Sequence, residues 1–245
     1  MSQGPWLALE TATDVASVAL GTPGSWTAQL SVVGARKHAA GLQVAVGQLL
    51  TAAGLGAKDL GGFVVGDGPG TFTGLRIAAA VAKGMAQEHG LPVIAIPSLL
   101  GAALSAHALA GGPVAALYDA LRGDVFVALY DFGRDRVDVL MAPRVAAAGD
   151  LVAATATLAR ERPRVCVGDG AMAYADVCRR WSGRDPVAFP AAGPGAGWLL
   201  VALKYSALQH PLEDVAGWEP AYGRAAEAQV RWEKAHGRAL PDSTG

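Results

Sequence analysis

Charge is scarce in this chain. Only 17% of its 245 residues are charged, and 20 Lys and Arg against 21 Asp and Glu leave a net charge of −1. A balance so close to zero leaves no electrostatic footprint for binding a large polyanion unaided, so a nucleic acid would need a more basic partner protein. Cysteine is nearly absent too. Cys166 and Cys178 stand too far apart for a CxxC pair, one in an apparent core strand and one in a helix, and two buried free thiols are expected. No basic leader precedes an apolar run: MSQGPWLALETAT carries Glu10 inside its short apolar stretch and does not read as a signal peptide. The stretch from Leu91 to Tyr118 holds no charge unless His107 is protonated, but Pro92, Pro97, Pro113 and Gly111-Gly112 cut it into strand, turn, helix and strand. A soluble, cytoplasmic protein with no membrane contact is expected.

What is present is apolar: 52% hydrophobic residues over a length sufficient for one large or two small domains. The most informative segment is Val64–Arg76, VVGDGPGTFTGLR. An apolar strand runs into a turn where Gly66, Gly68 and Gly70 give backbone freedom, and Pro69 stiffens the bend. Thr71 or Thr73 can then cap a helix whose free N–H groups suit an anion or a carboxylate. The spacing matches neither the dinucleotide fingerprint nor the Walker A loop. Two readings stand: a purely structural turn, or an anion- or nucleotide-proximal site at Gly68, Gly70, Thr71 and Arg76.

The element order repeats. Strands at Trp6–Leu9, Val15–Leu20 and Trp26–Val33 precede a helix at His38–Ala53, a strand at Phe63–Val65, a helix at Phe72–Glu88, a strand at Val93–Ile96 and a helix at Ser98–Ala108. The second half restates this with strands at Val114–Tyr118, Val125–Asp131 and Val137–Met141, a helical stretch near Gly149–Arg160, a strand at Arg164–Val167 and a helix at Ala171–Trp181. Val65-Gly66-Asp67-Gly68 returns as Val167-Gly168-Asp169-Gly170 in the same slot. Three strands, helix, strand, helix, given twice, is the order of the actin, sugar-kinase and heat-shock chaperone superfold: an α/β protein of two lobes, each a mixed sheet with flanking helices. The expected lobes are 1–110 and a reduced 111–194. Residues 195–245, with a helix at Trp198–Gln209, are expected to pack back on the first.

LALETATDVASVAL, VVGDGPGTFTGLRIAAAVAKG, YDALRGDVFVALYD and EPAYGRAAEAQ resemble, in order and over nearly the whole chain, the TsaB (YeaZ) family. The resemblance implies a non-catalytic subunit that pairs with itself and with TsaD, a catalytic paralogue of the same superfold. With the ATPase TsaE, such complexes place a threonylcarbamoyl group on the adenosine beside the anticodon of tRNA. ATP, ADP and metal would then belong to the partner subunits, and tRNA would be met only through the complex. The paralogue binds metal through two histidines four apart on the first helix; here His38 is followed by Leu42, which cannot ligate. His89, His107, His210 and His236 are scattered, so neither a metal nor a catalytic residue is assigned to this chain.

Glu10, Asp67, Asp119 and Asp169 fall at strand ends, where facing carboxylates can make a general base; hydrogen-bonded turn residues are the alternative. The helices from His38 and from Phe72 are apolar nearly all round and rich in small residues, which suits burial on two sides or an intermolecular surface. The expected interface comprises His38, Leu42, Val46, Leu49, Thr73, Arg76, Ala79, Ala82 and Lys83, and Ala79→Arg is expected to abolish pairing while leaving the lobes folded. An arginine in a first helical turn opposes the helix dipole, which favours an external contact for Arg76. Tyr222 and Arg224 belong to the family's terminal motif and could dock on their own domain or reach a partner. A small-molecule kinase of the same superfold, or a metallopeptidase-like hydrolase, is the competing reading.

Overall fold

The computed structural model describes residues 4–34, 38–156, 162–188, 195–205 and 208–224; of residues 38–40 and 154–156 it describes the backbone alone. The first lobe contains β1 (Trp6–Glu10), β2 (Val15–Thr22), β3 (Ser25–Val33), α1 (His38–Ala53), β4 (Gly62–Gly66), α2 (Phe72–His89), β5 (Val93–Ile96) and α3 (Ser98–Ala110). The second contains β6 (Val114–Asp119), β7 (Asp124–Phe132), β8 (Val137–Ala147), α4 (Leu151–Ala156), β9 (Val165–Val167), α5 (Asp169–Ala173) and α6 (Ala175–Ser182). α7 (Gly197–Ala202) and the short β10 (His210–Pro211) follow.

Both sheets are mixed. β1 pairs antiparallel with β2 and parallel with β4, and β6 pairs antiparallel with β7 and parallel with β9. The order is β10-β5-β4-β1-β2-β3 in one sheet and β8-β7-β6-β9 in the other. This is the two-lobed α/β architecture that the repeated element order predicts.

Alternation along each strand divides the interior into three cores. Leu7 and Leu9 of β1, with Phe63 and Val65 of β4, face α1 and α2; Trp6, Ala8 and Val64 face the opposite way, toward α3. In the second lobe, Ala115 and Leu117 face α5 and α6, while Val114, Ala116 and Tyr118 join Trp6 and Ala8 in the central core. α3 and α7 therefore lie between the two sheets, which explains why α3 buries residues on every side. The layers run helix, sheet, helix, sheet, helix. Among the described residues no helix is long and apolar enough to cross a membrane.

Two expectations need correction, and a third is seen in part. The helix expected at Trp198–Gln209 is α-helical only to Ala202; beyond it the Leu203, Lys204 and Tyr205 N–H groups donate to carbonyls three residues back, a tighter winding, before His210 and Pro211 pair with β5; residues 206–207 lie outside the described residues. The helix expected at Ala171–Trp181 is two, broken at Tyr174 with φ −118° and ψ 44°. The stretch near Gly149–Arg160 is a 3₁₀ turn at Ala148–Asp150 followed by a helix from Leu151 to Ala156, and residues 157–160 lie outside the described residues. Cys166 and Cys178 are buried free thiols.

Candidate functional site

The glycine-rich turn packs backbone against backbone on the turn that follows β1. A Cβ on Gly70 would lie 2.4 Å from the Ala12 carbonyl oxygen, and one on Gly74 would lie 2.1 Å from that of Thr11. Only glycine permits this approach. Across the junction the Thr71 N–H donates to the Ala12 carbonyl at 2.8 Å, and the Thr11 hydroxyl donates to the Gly74 carbonyl at 2.8 Å. Gly68, at φ +94°, donates its N–H to the Ser98 hydroxyl at 3.1 Å. Thr71 holds the N-cap position of α2 but makes no side-chain cap bond. Two N–H groups of the turn are thus bonded inside the chain.

The strand-end carboxylates follow one pattern in both lobes. Glu10 Oε1 accepts from the Ala12 N–H at 2.8 Å, and Asp119 Oδ1 accepts from the Leu121 N–H at 2.8 Å, each two residues on. Asp67 Oδ1 accepts from the Ala221 N–H, and Asp169 Oδ1 accepts from those of Gly170 and Asp119. The Glu10 and Asp119 bonds build their own turns, whereas Asp67 and Asp169 tie in segments 154 and 50 residues away. Burial pushes Glu10 above the ordinary carboxylate range, against the pull of bonds from Ala12 and Ser98. Desolvation at the cleft wall pushes Asp169 up to about 6, with the neighbouring Asp119 charge adding to it.

Between the lobes lies a cavity of about 310 Å³. Thr13, Asp14, Gly70, Thr71 and Phe72 line it from the first lobe, and Asp119, Leu121, Phe126 and Asp169 from the second. Tyr222 and Arg224 complete it. The segment carrying them passes between the lobes: a Cβ on Gly223, at φ +70°, would lie 2.6 Å from Pro69 and 2.9 Å from the Phe126 ring. Arg224 donates to the Ala120 carbonyl at 2.9 Å and pairs with Asp124, which fastens the segment to the second lobe. Among the described residues no group of three or more His, Cys, Asp or Glu is arranged to hold a metal ion.

The expected site residues separate. Gly70 and Thr71 reach the cavity, whereas Gly68 is covered by Ala221, and Arg76 lies outside the cavity lining. Arg76 has partners within its own chain, the Tyr222 hydroxyl at 3.0 Å and the Phe72 ring at 4.3 Å, and its side chain stays exposed beside them.

On the helices, Leu42, Val46 and Leu49 of α1 and Ala79 and Ala82 of α2 face the core of this chain, each at most 5% exposed. They have no free surface to offer a partner, and a helix that is apolar all round does not reveal its inner side. The outward residues include Gln43, Val44, Gly47 and Gln48 of α1, and Thr73, Arg76, Ala80 and Gly84 of α2. Lys83 is half-buried and donates to the Ala216 carbonyl at 2.9 Å; the His38 side chain lies outside what is described. Sequence reasoning missed Ser98, Phe72 and Glu219, whose partners are far away in the chain, and Leu121 and Arg122, which adopt positive φ without being glycine.

Comparison with known proteins follows this geometry. Residues 32–216 match the family model for TsaD, tRNA N6-adenosine threonylcarbamoyltransferase. The structure superposes on YeaZ from Pseudomonas aeruginosa with a TM-score of 0.63 and 30% identity, covering 81% of this chain and 90% of that one. The chain belongs to the TsaB (YeaZ) family, within the wider family that the TsaD model describes. The Escherichia coli tRNA threonylcarbamoyladenosine biosynthesis protein TsaB is 36% identical over 51% of this chain and 54% of its own length. The chain thus spans about half the length of that relative at this identity, whereas the Bacillus subtilis TsaB is 25% identical over 92% of this chain and 96% of its own. The two-lobed actin, sugar-kinase and heat-shock chaperone architecture accords with this family.

Proposed function

We propose that this chain is a cytoplasmic, non-catalytic subunit in the synthesis of threonylcarbamoyladenosine in tRNA. It pairs through the outward face of α1 and α2 with a TsaD-like catalytic paralogue, and with itself, while a TsaE-like ATPase completes the assembly. The names of its relatives supply the pathway. The observation that carries the role is a pair of glycines. Gly47 and Gly84 stand inside α1 and α2 and face outward, and a Cβ on either would meet nothing within 4 Å. Glycine inside a helix costs about 1 kcal/mol relative to alanine, and nothing among the described residues requires it at these two places. With Val44 58% exposed and Ala80 also outside, the face suits close approach by another backbone.

That the chain holds no nucleotide or metal of its own is supported by its cleft. Asp14, Asp119 and Asp169 line the cavity, the Arg224 guanidinium there is paired with Asp124, and the N–H groups of Gly68 and Thr71 are bonded internally. A polyphosphate would meet carboxylates where it needs donors.

The test is reconstitution of tRNA modification from purified TsaD-like and TsaE-like subunits, with and without this chain, read by nucleoside mass spectrometry. Modification should require this chain, and Ala80→Arg should abolish both pairing and modification at unchanged melting temperature. Ala79→Arg is no probe of pairing, because Ala79 lies inside. Modification without the chain, or pairing undisturbed by Ala80→Arg, would overturn the reading.

A further inference from the structure

A second concavity, of about 420 Å³, opens on the second lobe where the chain enters β9 and α6 ends. Arg162, Arg164 and Arg180 line it, with Trp181, Ser182 and Gly183 behind them. Arg162 and Arg164 stand two residues apart just before β9, and Arg180 comes from the last turn of α6. Arg179, next along the helix, is taken by Asp176 at 2.7 Å and by Asp185, but none of the three pocket arginines has an ion-pair partner among the described residues.

Arg164 is also held in place. Its N–H donates to the Pro113 carbonyl at 2.7 Å, and its stem lies over Gly112, where a Cβ would meet Arg164 Cγ at 2.9 Å. Three like charges lining one hollow repel one another less with an anion among them, and a guanidinium presents a fork of donors that suits phosphate oxygens. The hollow lies at the amino end of β9, whereas the interlobe cavity lies beyond its carboxyl end at Asp169, so the two do not compete.

We propose that the Arg162–Arg164–Arg180 pocket is a phosphate-binding site for the backbone of structured RNA. An RNA backbone presents several phosphates to a broad hollow, and the walls Pro163 and Trp181 are buried, so no apolar rim is offered to a lipid surface. The choice of RNA rests on the proposed function; the anion site rests on the geometry alone. Net charge −1 gives no general attraction for RNA, so any hold on it, alone or within the complex, must come from gathered cations; among the described residues the lining of this hollow carries three arginines and no carboxylate.

The experiment is anisotropy of a labelled, unmodified tRNA transcript titrated with the full chain across a salt series starting at about 50 mM. Wild type should bind with a negative log–log salt slope. Combining Arg162→Ala, Arg164→Ala and Arg180→Ala should weaken binding at least about tenfold and flatten the slope by about two to three. A control of equal charge change, Arg134→Ala with Arg136→Ala and Arg144→Ala on the β7–β8 side of the same lobe, should weaken it far less. Equal losses in both triple variants, no binding by wild type, or binding of poly-glutamate as tight as that of tRNA would each overturn the proposal. Co-purification with the TsaD-like subunit is scored on the same proteins. Pairing kept while RNA binding is absent sinks the pocket alone, and RNA binding kept while pairing is absent sinks the subunit reading alone.

Discussion

Arg76 and Tyr222 are 146 residues apart, and the guanidinium Nε of the first donates to the hydroxyl of the second at 3.0 Å. The hydroxyl in turn donates to Glu219 at 2.6 Å, and that bond, with the nearby charges of Lys83 and Arg76, holds the Glu219 carboxyl below its ordinary range. The Phe72 and Tyr222 rings lie 4.6 Å apart, so an aromatic contact and a polar chain share one anchor. The anchor ties the terminal segment to the start of α2, and Arg224 ties the same segment to the second lobe.

Tyr222→Phe should keep the ring contact and lose the polar chain, with a stability change under about 1 kcal/mol because the bond is exposed. Tyr222→Ala should lose both. Hydrogen exchange read by mass spectrometry should then show faster exchange across residues 212–224 in the alanine variant, a smaller change in the phenylalanine variant, and little change in β1 or β4. Uniform acceleration over the whole chain would show that Tyr222 belongs to the global core instead.

Glu10 is 3% exposed, and its Oε1 accepts from the Ala12 N–H and from the Ser98 hydroxyl at 3.1 Å. Glu10→Ala removes an acceptor from two buried donors, and urea unfolding should report a loss of about 1–3 kcal/mol. Glu10→Gln keeps the acceptor oxygen and removes a charge that burial disfavours. A carboxyl whose folded pKa is raised loses stability as pH rises, so the glutamine variant should compare best with wild type at alkaline pH. A glutamine variant as unstable as the alanine variant at every pH would show that the charge itself is required.

Much of this was open to reading in the sequence. Short apolar runs bounded by turn residues marked β1, β4 and β6, and the repeated Gly-Asp-Gly placed Asp67 and Asp169 at equivalent strand ends, although Asp169 opens a helix at once and Asp67 a loop. Helix faces were not readable, for a simple reason. Ala79 and Ala80 are the same side chain, one in the core and one outside, and α1 and α2 carry small apolar residues on both sides. Nor was the terminal segment readable, since residues 208–224 follow no period and are placed by contacts with Asp67, Arg76 and Lys83 far upstream. Leu121, at φ +63°, carries no signal for a left-handed turn.

The outward glycines make the next prediction. Gly47→Ala and Gly84→Ala should each stabilise the isolated chain by about 0.5–1 kcal/mol, since helical alanine loses less chain entropy and the added methyl meets open space. If the face receives another backbone, the same methyl should weaken pairing, seen by analytical ultracentrifugation of mixtures with the TsaD-like subunit. Stabilisation with unchanged pairing would remove the glycines as an argument for the interface.

Asp169 gives a pH test of the cleft. One side of its carboxyl meets the cavity while the surrounding walls strip hydration, and its folded pKa of about 6 exceeds the ordinary aspartate value. Between about pH 4 and 6 the folded chain then binds more protons at this site than the unfolded chain, so the site's contribution to stability falls as pH rises through that window. Above it the charged form remains a net burden. Asp169→Asn keeps an Oδ1 acceptor for the Gly170 and Asp119 N–H groups and removes the charge. It should therefore raise the melting temperature at pH 7.5 and change it little at pH 4. Because solvent reaches the group, the gain is expected to stay near 1 kcal/mol or below, about 2–4 °C. A gain of equal size at both pH values would trace the effect to packing and refute the titration argument.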